Sequence, residues 1–144
     1  MGAVLLTGAT GFVGREVLSR FLARGDRHVY ALVRAESDRD AAERLPGHPC
    51  LTAVAGDIER RGLGLTDATA ERLRREVSRV VHCAASVSFD LPLDESRRVN
   101  VHGTLHMAEF ARACRALERF TYVSTAYVAG EPGGLFREDE LAVG

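Results

Sequence analysis

A short apolar run, Val4 to Thr7, passes without a spacer into Gly8-Ala9-Thr10-Gly11-Phe12-Val13-Gly14, which opens directly into an amphipathic stretch. A strand, a glycine-rich turn and a helix in immediate succession leave few ways to fold. Within the stretch Val13, Val17, Leu18, Phe21 and Leu22 share one helical face, and Gly25 stands where a helix end favours glycine. In such a turn Gly8 and Gly11 give tight curvature and let a pyrophosphate approach the backbone, while Gly14 lets the helix pack close to the sheet. The free amides at the helix start, around Thr10, Gly11, Phe12 and Val13, then face the phosphates.

Four more apolar runs follow, His28 to Val33, Leu51 to Ala55, Val80 to Cys83 and Phe120 to Ser124, separated by longer amphipathic stretches. That alternation belongs to parallel strands joined by helical crossovers rather than to hairpins. Ser37 can cap a helix carrying Ala41, Ala42 and Leu45 that Pro46-Gly47 ends, and Thr66 can cap another carrying Leu73 and Val77. A longer helix is predicted from about Ser96 to Ala116, with Val99, Met107, Phe110 and Cys114 on its apolar stripe. No repeat or linker divides the chain, so residues 1–144 read as one unit. Right-handed crossovers make this an α/β fold, a doubly wound parallel sheet in the order 3-2-1-4-5, which binds ligands beyond its strand carboxyl ends.

With 19 basic against 20 acidic side chains and no block of five like charges, the surface has no electrostatic footprint for nucleic acid or an anionic membrane. Ala3-Val4-Leu5-Leu6 is too short for a signal core or a membrane span. Cys50, Cys83 and Cys114 are far apart, odd in number and match no Cys-x-x-Cys pattern, so they read as reduced thiols of a cytoplasmic protein, and no metal site is expected. All 19 basic residues are arginine. Any mechanism that needs a lysine is therefore incomplete in these 144 residues.

The glycine spacing is Gly-x-x-Gly-x-x-Gly, and with the flanking Thr7 it resembles the extended short-chain dehydrogenase/reductase superfamily. Gly56-Asp57-Ile58, His82-Cys83-Ala84-Ala85, Asn100-Val101-His102-Gly103-Thr104 and Tyr122-Val123-Ser124-Thr125 agree with that superfamily in order and spacing. The likeness spans nearly the whole chain. Leu32-Val33-Arg34-Ala35 with Ala42-Glu43-Arg44-Leu45, then Leu63-Gly64-Leu65 and Ser124-Thr125-Ala126-Tyr127-Val128-Ala129-Gly130, look closest to the thioester reductase and fatty acyl reductase branch. The resemblance implies a Rossmann domain that reduces a carrier-bound or CoA thioester, or a related acyl carbonyl, with a nicotinamide cofactor.

Where a domain of this kind selecting NAD places an acidic residue at the end of strand two, this chain has Arg34, and a guanidinium suits a 2′-phosphate. NADP(H) is thus expected over NAD(H), although Glu36 nearby could instead take the ribose. In the resembling family Asp57 and Ile58 meet the adenine. Cys83, Ala84 and Ala85 are small residues where the backbone passes close to the cofactor, and His82 before them points the other way as a structural histidine. Asn100 either supports the active site, as its family counterpart does, or faces solvent. In the family a hydroxyl at the end of strand five bonds the substrate carbonyl, and alignment on Gly130 favours Thr125 over Ser124 for that role.

The family's other catalytic partners, a tyrosine and a lysine four residues later, have no match. Tyr30, Tyr122 and Tyr127 are followed at that distance by Arg34, Ala126 and Glu131. The chain is therefore expected to be the N-terminal portion of a longer enzyme. Taken alone, it should bind cofactor weakly, turn nothing over and associate through a poorly covered fifth strand, so a homo-oligomer is an expected form. Three other readings stay open: an NAD-dependent nucleotide-sugar epimerase or dehydratase, a hydroxysteroid-type or flavonoid-type dehydrogenase, and a non-catalytic NADP-binding module.

Overall fold

The computed structural model describes residues 2–130 and 133–139. Its five strands, β1 (Ala3–Thr7), β2 (Val29–Val33), β3 (Leu51–Ala55), β4 (Val77–His82) and β5 (Arg119–Tyr122), form one sheet in the order β3-β2-β1-β4-β5, and every pairing is parallel. This is the doubly wound order expected from the alternation of apolar runs. β1 and β2 are buried along their whole length, as strands covered by helices on both faces must be.

Side-chain alternation along β1 splits the core in two. Leu5 packs with Leu73, Val80, Met107 and Phe110 on one face, while Val4 and Leu6 pack with Leu18, Val29 and Ala31 on the other. Helix α1 (Phe12–Arg24) covers the second face and ends at Gly25, whose φ of 62° is the left-handed geometry glycine adopts without strain. Ser37 and Thr66 cap α2 (Asp38–Glu43) and α3 (Asp67–Glu76) by accepting the amide hydrogens of Asp40 and Thr69.

Several boundaries differ from the expected ones: α2 stops at Glu43, short of Leu45. β4 begins at Val77, three residues early: Val77 closes α3 and at once pairs with Ala3, a residue whose spacing from Leu73 had placed it on the helix. β5 stops at Tyr122, so Ser124 lies beyond it. The long helix starts at Leu93 and ends at Arg112, as α4 (Leu93–Arg97), a π-helical turn (Arg98–His102) and α5 (Gly103–Arg112). The register places Thr7 of β1 beside Leu32 of β2 and His82 of β4, so the carboxyl ends of these strands form one rim. Among the described residues no helix is long and apolar enough to cross a membrane.

Candidate functional site

Close backbone contacts shape the turn after β1. Gly8 has φ 74°, and a Cβ there would lie 2.7 Å from the Ala84 nitrogen and 2.8 Å from the Cys83 carbonyl oxygen. A Cβ on Gly14 would lie 2.0 Å from the Gly8 carbonyl oxygen. Two of the three glycines thus press against the protein's own backbone: Gly8 against the end of β4 and Gly14 against the turn itself. Gly11 differs. A Cβ on it would meet only the Gly8 oxygen, at 3.3 Å, and it lines an open cleft. As the N-cap of α1 it has no side chain to bond the first amides of the helix, which have no intrahelical acceptor.

The cleft has a volume of about 250 Å³ and runs along the rim from Gly8, Thr10 and Gly11 to Arg34, Asp57 and Ile58. Arg34 also lines two further recesses, of about 730 and 580 Å³, so the groove continues at that end. Arg34 pairs with Glu59 at 3.3 Å and remains largely exposed, while Glu36 lies in the larger recess outside the main cleft. Arg44 adds a second guanidinium, donating to the Arg34 carbonyl at 2.7 Å and lining the same cleft. Sequence reasoning used Arg44 only as part of a family likeness; its place at the end of the Ser37-capped helix was the signal available.

Asp57 accepts the Glu59 amide at 2.9 Å, and its own amide donates to the Leu63 carbonyl at 2.8 Å. Gly62, Leu63 and Gly64 all have positive φ, a left-handed turn that buries Leu63 completely and closes the loop carrying Asp57 and Ile58. For a side chain as large as leucine that conformation is strained, and burial in the core offsets it. Ile58 also packs on Gly103 of α5, where a Cβ would approach its Cδ1 to 2.8 Å.

Cys83, Ala84 and Ala85 form the opposite wall of the cleft. Burial pushes the Cys83 thiol up from its ordinary value, which disfavours the thiolate. His82 is fully buried, with Nδ1 2.6 Å from the Thr7 hydroxyl and Nε2 3.2 Å from that of Thr104. Desolvation pushes its pKa down to about 4, so it is neutral at physiological pH. Asn100, in the π-helical turn, accepts the Ser86 amide at 2.8 Å and donates to the Ser86 carbonyl at 2.9 Å. Its carboxamide holds the loop after β4 and is not a solvent-facing group.

Six expected site residues do not line the cleft: Gly14, which packs on the turn, Asn100, which holds the loop after β4, and Phe12, Val13, Ser124 and Thr125. The side chains of Phe12 and Val13 are exposed on the outer face of α1, which leaves only their backbone for a ligand in the cleft. Ser124 and Thr125 are exposed beyond β5, and Thr125 caps a 3₁₀ turn (Ala126–Ala129) by accepting the Tyr127 amide at 3.2 Å.

A family model described as male sterility protein matches residues 6–142. An alcohol-forming fatty acyl-CoA reductase of Simmondsia chinensis is 32% identical over 168 residues, an alignment covering 99% of this chain and 34% of that protein. An isonitrile lipopeptide synthase of Mycobacterium tuberculosis is 38% identical over 161 residues, covering 97% of this chain and 6% of that protein. The crystal structure of the terminal R domain from the myxalamid PKS-NRPS pathway superimposes with a TM-score of 0.88 at 33% identity, over 97% of this chain and 39% of that one. The chain therefore spans about a third of the length of the Simmondsia relative.

Proposed function

The chain belongs to the male sterility protein family, in the thioester reductase branch of the extended short-chain dehydrogenase/reductases, and from that premise we propose that it is the NADP(H)-binding portion of a reductase of acyl thioesters. The observation that carries this reading is the one groove that joins the corner at Gly11 to Arg34 and Arg44. A dinucleotide phosphate needs both ends: backbone amides with no side chain in the way for the pyrophosphate, and planar cations for a 2′-phosphate.

On this reading the turn from Thr10 to Val13 holds the pyrophosphate through backbone amides. Arg34 and Arg44 take the 2′-phosphate, Asp57 and Ile58 meet the adenine, and Cys83 to Ala85 form the wall. When bound, NADPH supplies hydride to a carbonyl carbon. The Thr125 hydroxyl accepts from Tyr127, so its proton is free to donate to a substrate carbonyl oxygen, where it stabilises the charge that develops. Ser124 is the reserve hydroxyl. The tyrosine-lysine pair that delivers the proton has no counterpart among the 144 residues, which supports a portion of a longer enzyme. The substrate class, a small-molecule or carrier-bound acyl thioester, rests on the relatives' names.

The same lack of lysine favours a second reading, a non-catalytic NADP-binding module. The dispersed, unpaired cysteines fit a cytoplasmic setting under either. The test is to mix the chain with NADPH and a long-chain acyl-CoA and follow nicotinamide absorbance. Binding without oxidation is the expected result, and sustained turnover by the chain alone contradicts the assignment of the proton donor to residues outside it. Turnover restored by a longer polypeptide containing these residues supports the reductase over the module.

A further inference from the structure

Four groups on three elements, Thr7 and His82 buried and Thr104 and Ala84 half-buried, are linked in one direction. The Thr104 hydroxyl has a single hydrogen, and it goes to the Asn100 carbonyl at 2.8 Å. Toward His82 Nε2, 3.2 Å away, Thr104 can therefore only accept, so Nε2 carries the ring hydrogen. The neutral ring then has a bare Nδ1, which accepts from the Thr7 hydroxyl at 2.6 Å. Thr7 in turn accepts the Ala84 amide at 3.2 Å. Each hydrogen has one destination, and only one histidine tautomer satisfies them all.

The chain of bonds begins at an amide and ends at a carbonyl, so it carries no proton and can only hold position. What it holds is the β4 wall of the cleft. Thr7 fixes Ala84 at one end of the loop, and the helical turn that receives Thr104 fixes Ser86 through the Asn100 side chain at the other. Ala84 and Ala85 line the cleft, and Ser86 lines the recess beside it. We propose that Thr7, His82 and Thr104 form a positioning relay that sets the backbone of residues 84–86 for the dinucleotide, with the histidine locked as its Nε2–H tautomer. The proposal rests on the dinucleotide reading above. It separates two parts of one groove, because the relay supports the β4 wall and not the Arg34 end.

The relay is tested on the full 144-residue chain, first without nucleotide by ¹⁵N NMR and amide exchange, then by titration with NADPH and with 2′,5′-ADP, which keeps the adenosine and its 2′-phosphate but lacks the nicotinamide half. His82 is expected as the Nε2–H tautomer with the Ala84 amide protected. Removing one link with Thr7→Val should speed Ala84 exchange and weaken NADPH about five- to tenfold while 2′,5′-ADP changes less than about twofold, the scale of one net hydrogen bond. Thr7→Ser should restore both. Thr104→Val, at a half-buried and more forgiving site, should act in the same direction and decides the matter if Thr7→Val does not fold. An Nδ1–H tautomer or unchanged Ala84 exchange overturns the relay. Equal weakening of both ligands overturns the positioning role, since general loosening would produce it. If the unsubstituted chain binds neither ligand, the dinucleotide reading and the positioning role fall together, while the tautomer and exchange data still decide whether the relay exists.

Discussion

The guanidinium of Arg34 lies 3.3 Å from one oxygen of Glu59, and the other oxygen lies 3.7 Å from Arg98. One carboxylate serves two arginines, with Arg44 close by on the Arg34 carbonyl. An exposed pair of this kind contributes only about 0–1 kcal/mol, so Arg34 can exchange it for a phosphate at little cost. A charge-assisted bond to phosphate contributes about 1.5–3 kcal/mol, so Arg34→Ala should weaken NADPH about ten- to a hundredfold. NADH should change by less than about threefold, because it lacks the group that the cation recognises. Calorimetric titration of both nucleotides measures the ratio. Equal losses for the two would place Arg34 outside the 2′-phosphate site.

The three glycines of the turn should separate by experiment. Gly8→Ala combines left-handed strain, about 1–3 kcal/mol, with a clash against fixed backbone, and Gly14→Ala adds the second part alone. Both should lower the melting temperature markedly. Gly11→Ala should leave the melting temperature nearly unchanged and weaken NADPH, since its methyl group would meet only the Gly8 oxygen and would add bulk at the lining of the cleft. Thermal melts paired with titrations decide this, and a large loss of stability in Gly11→Ala would contradict the geometry.

The sheet order was legible because β-rich runs alternate with amphipathic stretches, and the chirality of crossovers leaves few arrangements. The start of β4 was not. Leu73 and Val77 are four apart, which reads as a helical stripe, and nothing local shows that pairing with Ala3 takes Val77 for the sheet. The π-helical turn was also invisible, because its residues are ordinary helix formers and its distinguishing contact, Asn100 with Ser86, spans 14 positions. At the site, the motifs located the turn, Arg34, Asp57 and the small residues after β4. Side-chain direction at Phe12 and Val13 depends on how α1 meets the sheet, which spacing alone does not give. The His82 relay joins residues 75 apart and could be found only in three dimensions.

His82 also sets a pH dependence. Its pKa is about 6.5 in an unfolded chain and is pushed down to about 4 by burial when folded. The unfolded state thus takes up a proton first as pH falls. The neutral histidine's contribution to stability is fully present above about pH 6.5 and is lost progressively toward about pH 4, at up to about 1.4 kcal/mol per pH unit. Denaturant melts of the unsubstituted chain and of His82→Gln between pH 7 and 5 should differ in slope, the variant being flatter. Parallel slopes would mean that His82 titrates normally in the fold.

The fifth strand should mediate self-association. Arg119, Thr121 and Tyr122 are exposed along this edge, and Val87 and Phe89 in the nearby loop are each 87% exposed. An open strand edge beside apolar side chains promotes pairing between chains. Sedimentation should show concentration-dependent dimers or larger species that Phe89→Asp and Thr121→Pro reduce. A monomer over the whole concentration range would show that the edge is adequately shielded.

The central claim is that the groove from Gly11 to Arg34 holds NADP(H). It is tested most directly by following nicotinamide fluorescence as NADPH or NADH is titrated against the chain, which has no tryptophan to interfere. The account predicts saturable NADPH binding, about tenfold or more tighter than NADH, with that preference lost in Arg34→Ala. No binding of either nucleotide, or a preference for NADH, would contradict it.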